Sequence, residues 1–238
     1  MHRLRIFAGP NGSGKSTLYK QLVGQFNLGH YLNPDDLHQM LGKSLMLDLR
    51  DFDASAKQSE WVAFWKNHGL YAQAPLLHDS RIENNILVLK DKPASYEAAI
   101  LTDFLRHRLL KTGQTFSFET VFSHASKLDF MKEANRRRYK CYLYFAAVSS
   151  PDISVARVQQ RKLEGGHDVP EDKIRKRYFL TLENLAAALR FAHRAYLFDN
   201  STEMKLVAEM TPDKNLELKE KTVPVWLQEN VLNKFKAQ

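Results

Sequence analysis

The sequence predicts an α/β fold in which about five parallel strands form a sheet flanked by helices. Two observations carry this prediction. Short apolar runs alternate with segments of helical periodicity, and a glycine-rich stretch separates the first apolar run from a helical segment. Strands covered on both faces of a parallel sheet appear as such continuous apolar runs. The predicted strands are residues 4–8, 30–36, 114–122, 142–148 and 195–199.

Two helices have the clearest periodicity. Residues 95–112 carry apolar side chains at helical spacing, and Gly113 ends the pattern. A second helix is predicted over about 171–193, with an apolar stripe along one face. Cations crowd its first turns, namely Lys173, Arg175, Lys176 and Arg177. Because cations oppose the helix dipole at an N-terminus, this placement needs solvent or an anion to offset it.

The segment 44–94 fits the sheet pattern least well. We predict that it forms a helical insertion between the second and third strands. Trp61 and Trp65 are four residues apart and therefore share a helix face. Packing of this face onto the body of the protein is favoured over a role in substrate recognition.

The last part of the chain is predicted to form a hairpin and a helix. Residues 204–221 have the pattern of a hairpin that turns at Pro212-Asp213, and a last helix follows from about Pro224. A chain of 238 residues can bury a full core as one α/β domain. We expect a single domain over residues 1–238.

Composition indicates a water-soluble protein of a reducing compartment. The chain is 44% hydrophobic and 26% charged, with no apolar run near the ~18 residues of a membrane span and no signal-peptide pattern. Its one cysteine, Cys141, has no partner for a disulfide, so a cytoplasmic location is expected.

The formal net charge of +8 has three explanations. It fits nucleic-acid binding, it fits an enzyme whose substrates carry phosphates, and solvated lysines account for much of it. The sequence has no helix-turn-helix, zinc-finger or aromatic RNA-binding pattern. We therefore prefer an anionic small-molecule substrate to nucleic acid.

The glycine-rich stretch matches the phosphate-binding loop in full. Residues 9–16 fit G-x-x-x-x-G-K-[ST], with a strand before them and a helix after them. In such a loop backbone N–H groups point at an anion, Lys15 reaches the outer phosphates from an exposed position, and the Ser16 hydroxyl holds Mg²⁺. The alternative is a glycine turn with a solvated lysine. The predicted nucleotide-binding residues are Gly9, Pro10, Asn11, Gly12, Ser13, Gly14, Lys15, Ser16 and Thr17.

Two classes of phosphate-loop protein are disfavoured. A GTPase needs the guanine-reading tetrapeptide N-K-x-D, which does not occur in the sequence. A transporter ATPase needs an apolar strand that ends in Asp-Glu, which is also missing. The chain instead has two acidic loops and an arginine-rich segment with glycines. These are the parts of a P-loop kinase.

The first acidic loop is NPDDLH, which contains Asp35 and Asp36. Ligands bind at the carboxyl ends of parallel strands, so Asp35 is predicted to accept the proton of an attacking hydroxyl. Capping of the following helix is the alternative role for these aspartates, and Asp36 is assigned either to solvent or to capping.

The second acidic loop is FSFETVFSH, in which Glu119 stands where the strand should emerge beside the phosphate loop. An unpaired buried carboxylate is costly. Glu119 is therefore expected to meet Mg²⁺-bound water, a substrate hydroxyl or an arginine, and we predict that it binds substrate. A purely structural Glu–Arg pair is the alternative.

The arginine-rich segment is predicted to form a lid over residues 157–178. Arg157 and Arg161 share a helix face, Gly165-Gly166 makes a flexible break, and Asp168 with Glu171 is predicted to cap the next helix. Arginines beside a glycine hinge can reach a transferring phosphoryl group after closure. A solvated basic helical hairpin is the alternative.

Five stretches in this order, AGPNGSGKST, NPD, SFETVFSH, GGHDVP and FDNS, resemble the zeta toxin family of P-loop kinases, in its branch of zeta-toxin-like proteins. The resemblance runs from residue 4 to about 201 and covers the insertion poorly. It implies ATP or GTP with Mg²⁺ as cofactors and γ-phosphoryl transfer to a sugar hydroxyl. In zeta toxins proper the acceptor is UDP-N-acetylglucosamine, and a small antitoxin holds the toxin in check.

The resemblance also implies roles for residues. Lys15 and Ser16 match the phosphate loop, Asp35 the base, Glu119 a substrate-side acid and Arg161 a lid arginine. A second arginine of zeta toxins is replaced here by the Gly-His-Asp around His167, so Arg175 or Arg177 is expected to supply that charge, and Arg157 to assist at the substrate. Two other functions stay open. One is a kinase for another acceptor, and the other is a nucleotide-sensing regulator without turnover.

Overall fold

The computed structural model describes residues 2–166 and 168–236, so His167 lies outside the described residues. The chain divides into two compact units. The first comprises Met1–Leu28 and Ser117–Gln238, and the second comprises Gly29–Phe116. The second unit contains the whole of segment 44–94. A single domain stays a prediction, and each unit is described by itself.

Strands and helices alternate along most of the described chain. The strands are β1 (Arg3–Ala8), β2 (His30–Leu32), β3 (Met46–Asp48), β4 (Arg81–Glu83), β5 (Ile86–Val88), β6 (Phe116–Thr120), β7 (Lys140–Ala147), β8 (Arg194–Asp199), β9 (Lys205–Met210) and β10 (Leu216–Leu218). The helices are α1 (Lys15–Leu22), α2 (Pro34–Ser44), α3 (Gln58–Lys66), α4 (Ser95–Thr112), α5 (Ser126–Arg136), α6 (Pro151–Leu163), α7 (Glu171–Phe191), α8 (Val225–Leu227) and α9 (Asn233–Lys236). A π-helical turn, Gln228–Leu232, joins the last two helices.

The first unit is built on a mostly parallel sheet. Its strands lie in the order β10-β9-β8-β7-β1-β6. β1 pairs with β7 in parallel, from Arg3 opposite Lys140 to Ala8 opposite Phe145, and β7 pairs with β8 in parallel. β9 and β10 continue the sheet in antiparallel pairing. The predicted α/β fold with helices beside a mainly parallel sheet is confirmed.

Both faces of β1 and β7 are packed, and β8 buries one face. One face carries aliphatic and aromatic side chains that are fully buried, including Ile6, Leu143 and Leu197. Full burial of such a side chain contributes about 1.5–3 kcal/mol. On the other face the rings of Phe7 and Tyr144 stack at 5.1 Å. This explains why the strands appear in the sequence as continuous apolar runs rather than alternating ones.

The predicted C-terminal hairpin and helix are present. Thr211 N–H donates to Asn215 O at 2.9 Å across the turn that contains Pro212-Asp213, and β9 and β10 pair antiparallel. Helical structure begins at Val225, one residue after Pro224. Trp226 in the first turn is buried.

The second unit combines helices with a small sheet. β3, β5 and β4 form a three-stranded antiparallel sheet, and NILVLK, at residues 85–90, contributes β5. The predicted helical insertion is thus helical at α3 and in short 3-10 turns, but it also contains three strands. Trp61 and Trp65 on α3 are buried, and Trp61 Nε1 donates to Ser80 Oγ at 2.8 Å. The packing interpretation of these tryptophans is confirmed within this unit.

Helix α4 ends as predicted, because Gly113 adopts φ 76°, a left-handed conformation that favours glycine at a helix C-terminus. The predicted strand at 30–36 is shorter than expected, since β2 ends at Leu32 and α2 begins at Pro34. His30 N–H donates to Thr115 O at 3.3 Å, so β2 lies beside the residues that lead into β6. Within residues 2–166 and 168–236, no helix has the length and apolar character to cross a membrane.

Candidate nucleotide-binding site

The glycine-rich loop lies between the end of β1 and the start of α1. Gly9 has φ 146°, and a Cβ there would lie 2.0 Å from the carbonyl oxygen of Ala146. Gly14 precedes α1 with φ 94° in the left-handed region. Side chains are excluded at both positions, so the backbone can turn tightly at the carboxyl end of the sheet. The loop therefore places the N-terminus of α1, an end of a helix that favours negative charge, directly after the end of β1.

The prediction that Lys15 is exposed is wrong. Its residue surface is 7% exposed, and Nζ donates to the carbonyl oxygen of Pro10 at 2.8 Å. As the first residue of α1, Lys15 folds its aliphatic chain over the loop and places its ammonium group against the loop backbone. The charge predicted to bind phosphate is thus held at the loop itself, where an arriving phosphate can replace the carbonyl as its partner.

Ser16 and Glu119 meet beside the loop. The Ser16 hydroxyl lies 2.9 Å from Oε2 and 3.1 Å from Oε1 of Glu119, so it donates to the carboxylate. Ser16 is in the first turn of α1, and Glu119 is near the carboxyl end of β6, the strand beside β1. The structure therefore brings Glu119 to the phosphate loop, where its carboxylate accepts from a hydroxyl.

This pair of groups fits a magnesium ion. Mg²⁺ prefers oxygen ligands and is usually held by one or two protein groups together with substrate phosphates and waters. The Ser16 hydroxyl and the Glu119 carboxylate are oxygen donors at the N-terminus of α1. Among the described residues, no group of three or more His, Cys, Asp or Glu side chains could hold a metal by itself. A cation at this place would need the phosphates of a nucleotide.

The Ser13 hydroxyl is buried inside the loop without a hydrogen-bond partner among the described residues. Ser154 in α6, whose backbone approaches Gly12, has a buried hydroxyl of the same kind. A buried hydroxyl without a partner costs about 1–3 kcal/mol. A ligand that accepts hydrogen bonds at the loop would remove this cost for Ser13.

Arg157 contacts the loop from α6. Nη1 lies 3.4 Å from the carbonyl oxygen of Gly12, and Nη2 lies 3.4 Å from that of Ser201. The guanidinium therefore bridges the phosphate loop and the segment after β8. Its predicted substrate contact stays a prediction, but its charge is placed at the loop.

The segment after β8 contacts the loop in a way that sequence reasoning missed. Asn200 Nδ2 donates to the carbonyl oxygen of Ser13 at 3.0 Å. Asn200 and Ser201 belong to the FDNS stretch, one of the five that resemble zeta toxins, but the resemblance implies no role for them. The signal available was the position of two polar residues directly after a predicted buried strand.

The remaining cations of the predicted lid lie on α6 and α7. Arg161 is exposed near the end of α6, where Gly166 N–H donates to its carbonyl oxygen at 2.9 Å. Arg177 is half-buried in the second turn of α7. Their roles at the transferred phosphoryl group and at the substrate stay predictions.

Arg175 is engaged by acidic residues. Its guanidinium lies 2.7 Å from Asp152 Oδ1 and 2.8 Å from Glu171 Oε1. Hydrogen bonds to Glu171 and Asp152 raise the pKa of Arg175 above its ordinary value. These carboxylates are the anions that offset this cation near the N-terminus of α7, and Asp152 connects it to α6.

Helix α7 begins at Glu171 as predicted, but its cap differs. The N-cap is Pro170, which has no side-chain cap, and Asp168 Oδ2 instead pairs with Lys162 Nζ at 2.7 Å. The predicted capping pair of Asp168 and Glu171 is therefore wrong. Asp168 precedes the N-cap by two residues, and the carboxylate of Glu171 is held by Arg175.

Asp35 lies in the first turn of α2 in the second unit and is exposed. The N-cap of this helix is Asn33, whose Oδ1 accepts from the Asp35 N–H at 2.9 Å. Of the two options given for Asp36, capping is wrong, because Pro34 occupies the first helical position and both aspartates lie inside the helix, whereas solvent exposure is confirmed. The role of Asp35 as a general base stays a prediction.

Comparison with known families agrees with this loop and sheet. A family model described as an AAA domain matches residues 4–178, which is more than half of the chain. The chain belongs to this AAA domain family. The match covers β1, the phosphate loop and α6 and extends into α7. Among curated proteins, no relative matches this member of the AAA domain family.

Several solved structures resemble this AAA domain. A chain in the crystal structure of AvrRxo1-ORF1:AvrRxo1-ORF2 with sulphate ions has a TM-score of 0.59 and 16% identity, and the match covers 97% of this chain and 63% of that chain. The crystal structure of AvrRxo1-ORF1:-ORF2 with ATP gives a TM-score of 0.58 and 16% identity, with 92% and 61% covered. The AAA domain therefore spans less than two thirds of these chains.

A structure of the PezAT chromosomal toxin-antitoxin system of Streptococcus pneumoniae also matches, with a TM-score of 0.48 and 14% identity over 97% of this chain and 77% of that chain. The family match and the AvrRxo1 structures agree with the sheet and loop described above. The predicted P-loop kinase-like fold is thus confirmed.

Proposed function

We propose that this chain is an ATP-dependent phosphotransferase that transfers the γ-phosphoryl group to a hydroxyl of a small molecule. The proposed acceptor is a nucleotide-sugar such as UDP-N-acetylglucosamine. The observation that carries the proposal is the contact of Ser16 with Glu119 beside the phosphate loop, at 2.9 Å. A phosphate-binding helix terminus, a lysine and a pair of oxygen ligands for Mg²⁺ are the parts that phosphoryl transfer requires.

The loop residues bind the phosphates of the nucleotide. The N–H groups at the start of α1 and the ammonium group of Lys15 bind the β- and γ-phosphates, and Lys15 exchanges the Pro10 carbonyl for phosphate oxygen. Ser16 and Glu119 are the residues that would hold Mg²⁺. When bound, the metal neutralises charge on the phosphates. GTP would use the same loop contacts.

A second group of residues acts on the acceptor and on the transferred phosphoryl group. We assign Asp35 as the general base that takes the proton from the attacking hydroxyl. Arg161 would neutralise charge on the transferred group, while Arg157 and Arg177 would hold anionic groups of the substrates. The carboxylates that engage Arg175 weaken its candidacy as a substrate contact, because an incoming anion would have to displace them.

Two comparisons support the ligand and the partner. AvrRxo1-ORF1:-ORF2 has been crystallised with ATP, which supports ATP as the phosphoryl donor of this chain. AvrRxo1-ORF1 is also crystallised in complex with AvrRxo1-ORF2, which supports a small antitoxin-like protein as a partner. The lone, buried Cys141 supports a cytoplasmic location.

Transfer of radiolabelled γ-phosphate from ATP tests this function. The purified chain is incubated with Mg²⁺ and with separate acceptors, namely UDP-N-acetylglucosamine, other nucleotide-sugars and nucleic acids that carry free hydroxyl ends. Labelled nucleotide-sugar is expected, and Lys15→Ala should abolish it. Label on nucleic acid alone would show that the acceptor is a nucleic-acid hydroxyl and not a nucleotide-sugar. ATP binding without transfer to any acceptor would indicate a nucleotide-sensing regulator instead.

A further inference from the structure

We infer that Asn200 is a positioning residue that sets the shape of the phosphate loop. This inference rests on the proposed function, because it concerns the same nucleotide site. The side chain of Asn200 reaches across from the end of β8 and donates from Nδ2 to the carbonyl oxygen of Ser13 at 3.0 Å. Ser13 immediately precedes Gly14, the N-cap of α1.

This hydrogen bond acts on one peptide group. The peptide between Ser13 and Gly14 is planar, and in a trans peptide the carbonyl and the N–H point in opposite directions. Asn200 holds the Ser13 carbonyl on its own side. It therefore aims the Gly14 N–H away from itself, toward the interior of the loop, where a phosphate would accept from it.

The geometry at Gly14 requires this approach to be close. A Cβ at Gly14 would lie 2.4 Å from Asn200 Nδ2 and 2.9 Å from Met204 Cε. Gly14 also has φ 94°, which disfavours any other residue. The glycine at this position of the loop thus serves two purposes here. It permits the left-handed turn, and it leaves room for the Asn200 amide.

Asn200 is itself fixed by the sheet. Its backbone N–H donates to the Ala147 carbonyl oxygen at 2.8 Å, which extends the pairing of β7 and β8 by one residue. Asp199 then holds the segment from two sides. It accepts from the Ser201 N–H at 3.0 Å and from Trp226 Nε1 at 2.6 Å. The Asn200 side chain therefore starts from a rigid base, as a positioning residue must.

Arg157 repeats the same arrangement one residue earlier. It donates to the Gly12 carbonyl oxygen and to the Ser201 carbonyl oxygen, each at 3.4 Å. Gly12 and Ser13 thus have carbonyls held by groups outside the loop. The Ser13 N–H is turned inward, where it donates to Pro10 O at 3.3 Å. Two adjacent peptides are oriented by side chains that contact residues 199–201 or belong to them.

Two measurements on Asn200→Ala test the inference. The variant should raise the dissociation constant of ATP with Mg²⁺ about tenfold, raise KM for ATP by a similar factor, and change kcat much less. It should also increase hydrogen–deuterium exchange of residues 9–16 in the protein without nucleotide, where the loop loses its support. If Asn200 had a purely structural role, Asn200→Ala would lower the melting temperature without a selective change in ATP affinity or in the exchange of residues 9–16.

Asn135→Ala is the matched control. Asn135 Nδ2 donates to the Phe191 carbonyl oxygen at 2.9 Å, so it makes the same kind of bond in the same unit without touching the loop. It should leave ATP affinity and loop exchange unchanged. Asn200→Asp is the second variant, since it keeps the shape, removes the donor and places a carboxylate oxygen against the Ser13 carbonyl. It should weaken ATP binding at least as much as Asn200→Ala.

The outcomes separate this inference from the proposed function. Wild-type loop exchange and ATP affinity in both Asn200 variants would overturn the inference and leave the kinase proposal intact. Faster loop exchange in Asn200→Ala, in a protein whose wild type transfers no phosphate, would support the positioning role and contradict the kinase. Equal effects of Asn135→Ala and Asn200→Ala on loop exchange would overturn the positioning role.

Discussion

Ser16 and Glu119 are 103 residues apart in sequence, and the Ser16 hydroxyl donates to both carboxylate oxygens, at 2.9 and 3.1 Å. The sheet explains the contact. β6 lies beside β1, so the carboxyl end of β6 opens next to the loop that follows β1. The N-terminus of α1 then places the hydroxyl against the carboxylate. This relationship is the basis of the first prediction.

Glu119→Gln should weaken Mg²⁺ at the site while keeping the shape of the side chain. The amide removes a negative charge that a divalent cation needs. The Mg²⁺ concentration for half-maximal phosphoryl transfer should therefore rise about tenfold or more. ATP binding in the presence of a chelator should not fall. Glu133→Gln is the control, because Glu133 pairs with Arg137 on the surface of α5. A wild-type magnesium requirement in Glu119→Gln would remove Glu119 from the metal site.

Lys15→Ala should abolish nucleotide binding and turnover. In the proposed function, the ammonium group is the cation that binds the outer phosphates. Because Lys15 is buried and bonds to Pro10 O, a lower melting temperature is expected as well. Isothermal titration with ATP and a melting curve on the same sample separate the two effects. Lys20→Ala, at an exposed position in the last turn of α1, is the control. Transfer at the wild-type rate in Lys15→Ala would contradict the proposed function.

Arg161→Ala should lower kcat far more than it weakens ATP binding. A cation that contacts the phosphoryl group only during transfer is worth roughly 10³–10⁵ in rate. Steady-state kinetics at saturating acceptor measure kcat and KM for ATP separately. Lys162→Ala removes the neighbouring cation, which pairs with Asp168, and serves as the control. Similar losses in both variants would indicate a solvated basic helix rather than a lid arginine.

Asp35→Asn should abolish transfer and leave stability unchanged. Loss of a general base costs roughly 10²–10⁴ in rate. The structure sharpens this test, because Asn33 rather than an aspartate caps α2. Asn33→Ala should therefore lose about 1 kcal/mol of stability, and Asp35→Asn should not. Melting temperature and transfer are measured on both. An active Asp35→Asn leaves the base unassigned, and Asp36→Asn is then tested.

The stability of the second unit should depend on Glu60 in a pH-dependent way. The Lys57 N–H, followed by Arg108 and Lys111, lowers the pKa of Glu60 to about 2. A lowered pKa means that the ionised form stabilises the fold. This stabilisation is complete above the ordinary pKa of about 4.5 and is lost as pH falls toward 2.

Glu60→Gln should thus lower the melting temperature at pH 7, and the difference from wild type should shrink below pH 4.5. Melting curves between pH 3 and pH 7 measure it. Glu83→Gln is the control, since its ion pair with Arg81 is well exposed and contributes little. A difference that stays constant with pH would show that the charge of Glu60 does not stabilise the unit.

The sequence determined the strands that run through the core and the loop between the first strand and helix. β1 and β7 carry mostly apolar side chains because both of their faces are covered, and this local property can be read without the fold. The glycines of the loop likewise predict a backbone turn from the local sequence alone. By contrast, β3, β4 and β5 have three residues each, and β3 pairs with β5 about 40 residues later in the chain, so their patterns are too short to predict.

Only the tertiary structure decided which groups meet at the loop. Side-chain directions are set when the strands and helices pack. They determine that Lys15 folds onto Pro10, that Asn200 holds Ser13 and that acidic residues engage Arg175. Residue type gave the chemistry available at each position. A hydrogen bond, however, forms only within about 3 Å and at the right angle, and the packing of elements far apart in sequence fixes those distances.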